Sequence, residues 1–402
     1  MFALLIAASA LSGNPNSASA EQVVHSFGHG YDGEVPGGGL VQSAQGTMYG
    51  TTERGGLYNL GTVFQIQPDG HERVLHSFKG GRDGLDPGGF LAMDSSGNVY
   101  GTTFGGGGDG CSPYQGCGTI FKISPTGKKT VLYRFMGESD GGYPEGGLVA
   151  DAQGDLFGVT AVGGNVGNCG KYGCGTIFEL TASGALTTRY VFNGGSDGYG
   201  PSAGVTLDSA GNIYGTTPFG GSTTGNCIGN GCGVMYKLTP EGTFTTLYTF
   251  QGGTDGSMPE AGVIADGAGN FYGTTAGGGD TKSCGGGCGT VFTVTSAGTE
   301  SVTYAFHRGL DGDYPMASLA MDNFGNLYGT TYFGGGTGCR KDGCGTVFKV
   351  APDGKETVLF AFDEKAQGQN PAAPLLLNGG VLYGTTLWGG GHKAGVVFSV
   401  TP

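Results

Sequence analysis

Three sets of residues in this chain have types and spacings that could do chemistry. Glu145 and Glu260 each stand directly after a turn proline. Two carboxyl groups held in different protonation states can give and take a proton, so this pair is the candidate general acid and base. Asp32, Asp83, Asp140, Asp197, Asp255 and Asp311 each begin an Asp-Gly-x-x-Pro turn. A ring of such carboxylates could hold a hard cation, and Ca²⁺, which takes six to eight oxygen ligands, is the cofactor it would suit. Asp before Gly is also a turn builder through its own backbone hydrogen bonds, and that reading needs no ion. Phe104, Phe219, Tyr332, Phe333 and Trp388 follow a recurring Tyr-Gly-Thr-Thr, while Tyr31, Tyr143, Tyr199 and Tyr314 sit in the Asp-Gly turns. Such rings could offer flat apolar faces to sugars or peptides, or they could cover glycines and seal contacts between neighbouring units.

Other chemistries are missing. No His-Glu-x-x-His pair, phosphate loop or dinucleotide fingerprint in its strand-and-helix setting occurs in the sequence. The glycine run 105–108 precedes no helical pattern, so it lacks the dipole that holds phosphate. The six histidines form no constellation, and His25 and His76 occupy a strand position filled elsewhere by Tyr133, Tyr190, Tyr248 and Tyr304. A formal net charge of −13 argues against nucleic acid and anionic membranes as partners and favours cations or neutral polymers.

The elements that must position these residues come from a repeat. Tyr-Gly-Thr-Thr or a near copy begins at Tyr49, Tyr100, Phe157, Tyr214, Tyr272, Tyr328 and Tyr383, in steps of 51, 57, 57, 58, 56 and 55 residues. Units of this size bury their apolar faces by stacking on neighbours. Residues 311–362 show one unit: an Asp-Gly turn, strand a (318–321), a tight turn, strand b (327–331), a glycine-rich loop, strand c (346–350), a Pro-Asp-Gly turn and strand d (357–362). All four are short, rich in β-branched and aromatic residues and bounded by Gly, Pro, Asn or Asp, which predicts the four-stranded antiparallel blade of a β-propeller. Residues 22–27 match strand d, and the last unit stops at Pro402 before its own strand d. The N-terminal strand therefore completes the last blade, giving an all-β, seven-bladed ring with no free sheet edge.

The ten cysteines form near-neighbour pairs in the loops between strands b and c: Cys111 with Cys117, Cys169 with Cys174, Cys227 with Cys232, Cys284 with Cys288, and Cys339 with Cys344. No histidine stands beside them to complete a zinc site, so disulfides are expected, rigidifying the loops on one face. Disulfides imply an oxidising compartment. The apolar run 2–11 and Ala18-Ser19-Ala20 read as a signal peptide over residues 1–20, truncated because no basic residue opens it. Residues 21–402 are then a single domain, expected to be a monomer without a transmembrane segment.

The recurring Gly-Cys-Gly-Thr-Val-Phe, Thr-Val-Leu-Phe-Ala-Phe, Asp-Gly-x-x-Pro and Gly-Asn-Leu-Tyr-Gly-Thr-Thr segments resemble the Gloeobacter/Verrucomicrobia tandem repeat, the GloVer repeat, over residues 21–402. That resemblance implies an exported bacterial protein. It brings no activity with it. The single tryptophan separates the chain from propeller quinoproteins, which carry a tryptophan motif in each blade. The function expected is a secreted binding module for polysaccharide or another surface polymer. The alternatives are an exported lyase or hydrolase acting on carbohydrate or a lactone-like ring, and a structural surface protein without a ligand.

Overall fold

A computed structural model describes residues 21–402 apart from 29, 109, 112–115, 165–168, 228, 337 and 364–366. The expected leader, 1–20, lies outside the described residues. Seven four-stranded antiparallel sheets form, and the seventh pairs Glu21–Ser26 with Val396–Val400. The N-terminal segment thus closes the ring as strand d of the last blade. A small two-stranded ribbon, Gly256–Ser257 with Gly277–Gly278, joins two loops in the fifth blade. In the sixth blade strands b and c are Leu327–Thr331 and Thr346–Val350, as expected, and strand d runs Glu356–Ala361, one residue early. Strand a pairs only over Ala320–Met321; Leu319 before it is buried in the blade core, and further back Tyr314 and Met316 line the central channel.

The Tyr-Gly-Thr-Thr unit is legible as packing. Gly329 lies opposite Phe348 of strand c, and a Cβ on Gly329 would stand 2.5 Å from the Phe348 ring and 2.9 Å from Leu319. Only a residue without a side chain lets the ring lie flat on strand b. The same strand c aromatic makes an edge-to-face contact with the residue that ends strand d of the preceding blade. Phe27–Phe64, Phe78–Phe121, Phe135–Phe178, Phe192–Tyr236, Phe250–Phe292, Phe306–Phe348 and Phe362–Phe398 repeat it at centroid separations of 5.0 to 5.3 Å. Each such pair contributes about 1 kcal/mol beyond its burial. The Phe27–Phe64 contact makes the closing interface equivalent to the other six.

The threonines divide the remaining work. The second one, as in Thr331, bonds the first threonine of strand c (Thr346, 2.8 Å) and donates to the backbone of its own loop (Phe333 O, 2.8 Å). In three blades the first reaches across to the next blade, as Thr216 does to Ala261 O at 2.8 Å and Thr274 to Ala317 O at 3.1 Å.

Candidate functional site

On the face that carries the cysteine loops, each blade offers the channel three positions: the residue before the turn proline, the residue after it, and the residue after Tyr-Gly-Thr-Thr. The first of these is strained in every blade. Val35, Asp86, Tyr143, Met258, Tyr314 and Asn370 have φ between 55° and 61°, and Gly200 has φ 66°. Non-glycine residues pay about 1–2 kcal/mol for this left-handed conformation. Two backbone bonds hold it. Tyr314 N–H donates to Cys288 O at 3.0 Å, and Tyr314 O accepts from Tyr332 N–H at 3.1 Å. The carbonyls of Cys117, Cys174, Cys232 and Cys344 receive Tyr143, Gly200, Met258 and Asn370 in the same way.

All five expected disulfides are present. Their second cysteines are therefore the anchors of the strained residues around the channel mouth, and the bonds fix a binding rim as well as a loop.

The mouth opens into a cavity of about 1060 Å³ lined from all seven blades. Phe90, three residues after its turn proline, forms the floor. Its ring lies where a Cβ on Gly39, Gly147 or Gly204, in three other blades, would fall within 3.3 Å of it. Entry is then from the cysteine face. Phe104, Tyr199, Phe219, Tyr332 and Phe333 supply aromatic wall. Phe104 is backed by Tyr143, stacked at 4.5 Å, and Tyr199 by Phe219 at 5.3 Å.

Among the described residues, four carboxyl groups share this cavity, Glu53, Asp86, Glu145 and Glu260, and no lysine, arginine or histidine lines it. Burial pushes Glu53 up to about 7, with Asp86 adding to the rise and Arg54, just outside, opposing it. Glu145 also reaches about 7, through burial and then the charges of Asp86 and Glu260. Its carboxyl group is open to water at the mouth yet enclosed by protein in the concave wall, so solvation is partial. Burial also raises Asp86 and Glu260, the latter against a hydrogen bond from Tyr314 Oη at 3.3 Å. Tyr314 is itself pushed up to about 12 by burial and by Glu260. The site therefore couples aromatic faces to a negative, partly protonated wall. Among the described residues, the one set of three His, Cys, Asp or Glu ligand atoms within 4.8 Å is Cys284, Cys288 and Asp313. Those cysteines are already bonded to each other.

Of the residues nominated from sequence, Glu145, Glu260, Phe104, Tyr199, Phe219, Tyr314, Tyr332 and Phe333 meet in this cavity. Tyr143 stands behind the wall, 5% exposed, with its hydroxyl donating to Cys111 O at 2.7 Å. Trp388 lies outside the lining and is 39% exposed. Asp32, Asp83, Asp140, Asp197, Asp255 and Asp311 stand away from the cavity. Asp140, Asp197, Asp255 and Asp311 each accept a strand d tyrosine hydroxyl at 2.9 Å, from Tyr133, Tyr190, Tyr248 and Tyr304, plus a turn N–H. His76 takes the tyrosine's place towards Asp83 at 3.0 Å, and His25 towards Asp32 at 3.5 Å. Glu53, Asp86 and Phe90 were not singled out from sequence, although Glu53 and Asp86 occupy the very positions that nominated Tyr332 and Tyr314.

The fold places the chain among known propellers. A streptogramin B lyase structure superposes with a TM-score of 0.59 at 14% identity, covering 95% of this chain and 97% of that one. A putative gluconolactonase gives 0.48 at 12%, with 96% and 92% covered, and a gluconolactonase from Xanthomonas campestris 0.45 at 11%, with 95% and 89% covered. At these identities the likeness is one of fold. No curated protein matches the sequence significantly. The model of the Gloeobacter/Verrucomicrobia repeat matches residues 14–228, 168–338 and 222–402, so the chain belongs to that repeat family.

Proposed function

We propose that this protein is an exported binding module that takes the end of a surface glycan, or a ring of similar size, into its central cavity. One observation carries the reading: a cavity of about 1060 Å³, the size of a small-ligand site, whose wall combines aromatic faces with carboxyl groups above a floor narrowed by Phe90. Aromatic faces stack on sugar rings, and carboxylates accept hydrogen bonds from hydroxyl or ammonium groups. With four acidic groups and no basic one among the described lining residues, the cavity favours neutral or amine-bearing sugars over uronic acids. The floor at Phe90 favours a chain end over the middle of a strand. Export follows from the five disulfides, which persist in oxidising compartments. Among the described residues no helix is long and apolar enough to cross a membrane.

A glycan array with and without chelator tests this. Retention of amino-sugar or neutral termini is expected, and an array blank in both conditions overturns the proposal.

A second reading, catalysis on the bound ring, draws on Glu145 and Glu260 in one cavity, with Glu145 held at about 7 and Glu260 in contact with Tyr314. A carboxyl near neutrality can both give and take a proton. That a lyase shares the fold places such chemistry within its reach, no further. Mass spectrometry of retained glycans after prolonged incubation separates the readings, since a shortened or unsaturated product favours catalysis.

A further inference from the structure

A chain whose end lies in the central cavity must also leave it. Phe90 narrows the way through the ring, so the rest of the chain passes back over the rim on the cysteine face. At the fourth blade that rim is notched by a second cavity of about 400 Å³, within the range of about 300–1,000 Å³ typical of small-ligand sites. Tyr199 and Cys169 line both cavities, so this groove begins where the central site ends. Its walls are two loops tied to each other. Gly195 O, in the turn that enters the blade, accepts from Gly221 N–H of the cysteine loop at 2.9 Å. Within that loop Gly220 N–H donates to Asn230 O at 2.7 Å, and the Cys227–Cys232 disulfide closes it. Backbone bonds, rather than long side chains, therefore hold the shape of the groove.

Gly195 lines the groove without a local need for glycine. Its φ lies outside the left-handed region, and a Cβ there would meet nothing within 4 Å. Bare backbone facing open space is what a closely approaching ligand requires. The lining adds the Tyr199 ring, the Thr223 hydroxyl and the Asn230 amide, and among the described residues it holds no charged side chain. Hydroxyl and amide groups both give and accept hydrogen bonds, as sugar hydroxyls do, and an aromatic face packs on the C–H surface of a sugar ring. The groove thus suits neutral, hydroxyl-rich units, whereas the central cavity presents an acidic wall.

We propose that this groove is a second subsite, holding the sugar units that follow the terminal one across the Tyr199 ring. The proposal rests on the reading of the central cavity as a site for a glycan end, and it narrows the ligand class to an oligosaccharide rather than a single ring. The terminal unit is selected by the carboxyl wall. The units behind it are held by Thr223, Asn230 and the exposed backbone of the fourth blade.

The test is calorimetric titration of the whole protein with glucosamine and with its linear tetrasaccharide, on the wild type and on two groove variants. The wild type is expected to bind the tetrasaccharide at least about tenfold tighter than the single sugar. Gly195→Tyr crowds the groove from a position outside the central cavity, and it is expected to bind glucosamine as the wild type does while losing that gain. Asn230→Ala keeps the backbone bond of residue 230, and it is expected to lose about threefold of the gain. A Tm equal to that of the wild type shows that a variant is folded, and the second variant serves if the first is not. Equal affinity for the two sugars in the wild type, a full gain kept by a folded variant, or an equal loss for both sugars would overturn the subsite alone. Failure of both sugars to bind the wild type would overturn the reading of the central cavity and the subsite with it.

Discussion

The outer ends of the blade interfaces and the central cavity both gather carboxyl groups and raise several of them to about 7, yet they do so in different ways. At the outer ends Glu21, Glu72, Glu300 and Glu356 recur at one register position, the start of strand d. In the cavity Glu53, Asp86, Glu145 and Glu260 come from three different positions of the repeat and from four blades. A feature that keeps the period belongs to the ring. A feature that breaks the period, at positions aimed at the channel, belongs to whatever the ring holds. The strained residue before each turn proline joins the two: its conformation is periodic, while its side chain is Val35, Asp86, Tyr143, Met258, Tyr314 or Asn370.

Breaking a periodic position has the largest expected effect. Gly329→Val drives a side chain into Phe348 and Leu319, and a loss of about 3 kcal/mol is expected in urea unfolding. Unchanged stability would contradict the packing role of Tyr-Gly-Thr-Thr. The double change Cys339→Ser, Cys344→Ser removes a disulfide whose second cysteine anchors Asn370, and about 2 kcal/mol is expected to go with it, read from the same transition.

Cavity changes should instead spare stability. Glu145→Gln with Glu260→Gln is expected to weaken glycan binding about tenfold or more, the loss of about 1.4 kcal/mol or more of charge-assisted hydrogen bonding, with no fall in Tm. Trp388→Ala, outside the cavity, is expected to change binding and stability by less than about 0.5 kcal/mol.

Acidity separates the interfaces further. Glu21, Glu72, Glu300 and Glu356 have folded pKa values near 7, above their ordinary 4.5. Their contribution is complete below about pH 4.5 and is lost as pH rises through about 7. Asp83 runs the other way. Burial alone would raise it, but hydrogen bonds and charge from His76 and Lys129 bring it well below its ordinary 3.8. Its contribution is present above that value and lost as pH falls further. The protein is therefore expected to be most stable near about pH 5, and a Tm that rises steadily from pH 5 to pH 8 would contradict the assignment.

Strands b and c of the sixth blade were legible residue for residue, because β-branched and aromatic runs between glycine turns leave little freedom. The disulfides and the closing strand were legible for the same reason, being local or periodic. Strand a was read too long, since Leu319, buried in the blade core just before the paired residues, looks in sequence like a residue of the sheet itself. The cavity was legible in part. Glu145, Glu260 and six of the nine nominated aromatic residues line it, found from their positions after Tyr-Gly-Thr-Thr or in the turns, whereas Glu53 and Asp86 stood in equivalent positions searched only for rings. Phe90 becomes a floor only when the ring closes and brings its side chain against three other blades. Whether Glu145 and Glu260 meet is likewise a property of the closed circle, set by the sum of all the blade interfaces.

The central claim is that the cavity binds sugar termini through its carboxyl wall. The most direct measurement is calorimetric titration with a glucosamine oligosaccharide and with a uronic acid oligosaccharide of equal length, on the wild type and on the Glu145→Gln, Glu260→Gln variant. Binding of the amino sugar at least about tenfold tighter than the uronic acid, with the gap lost in the variant, is the expected result. Equal affinity for the two sugars, or an amino-sugar affinity untouched by the variant, would contradict it.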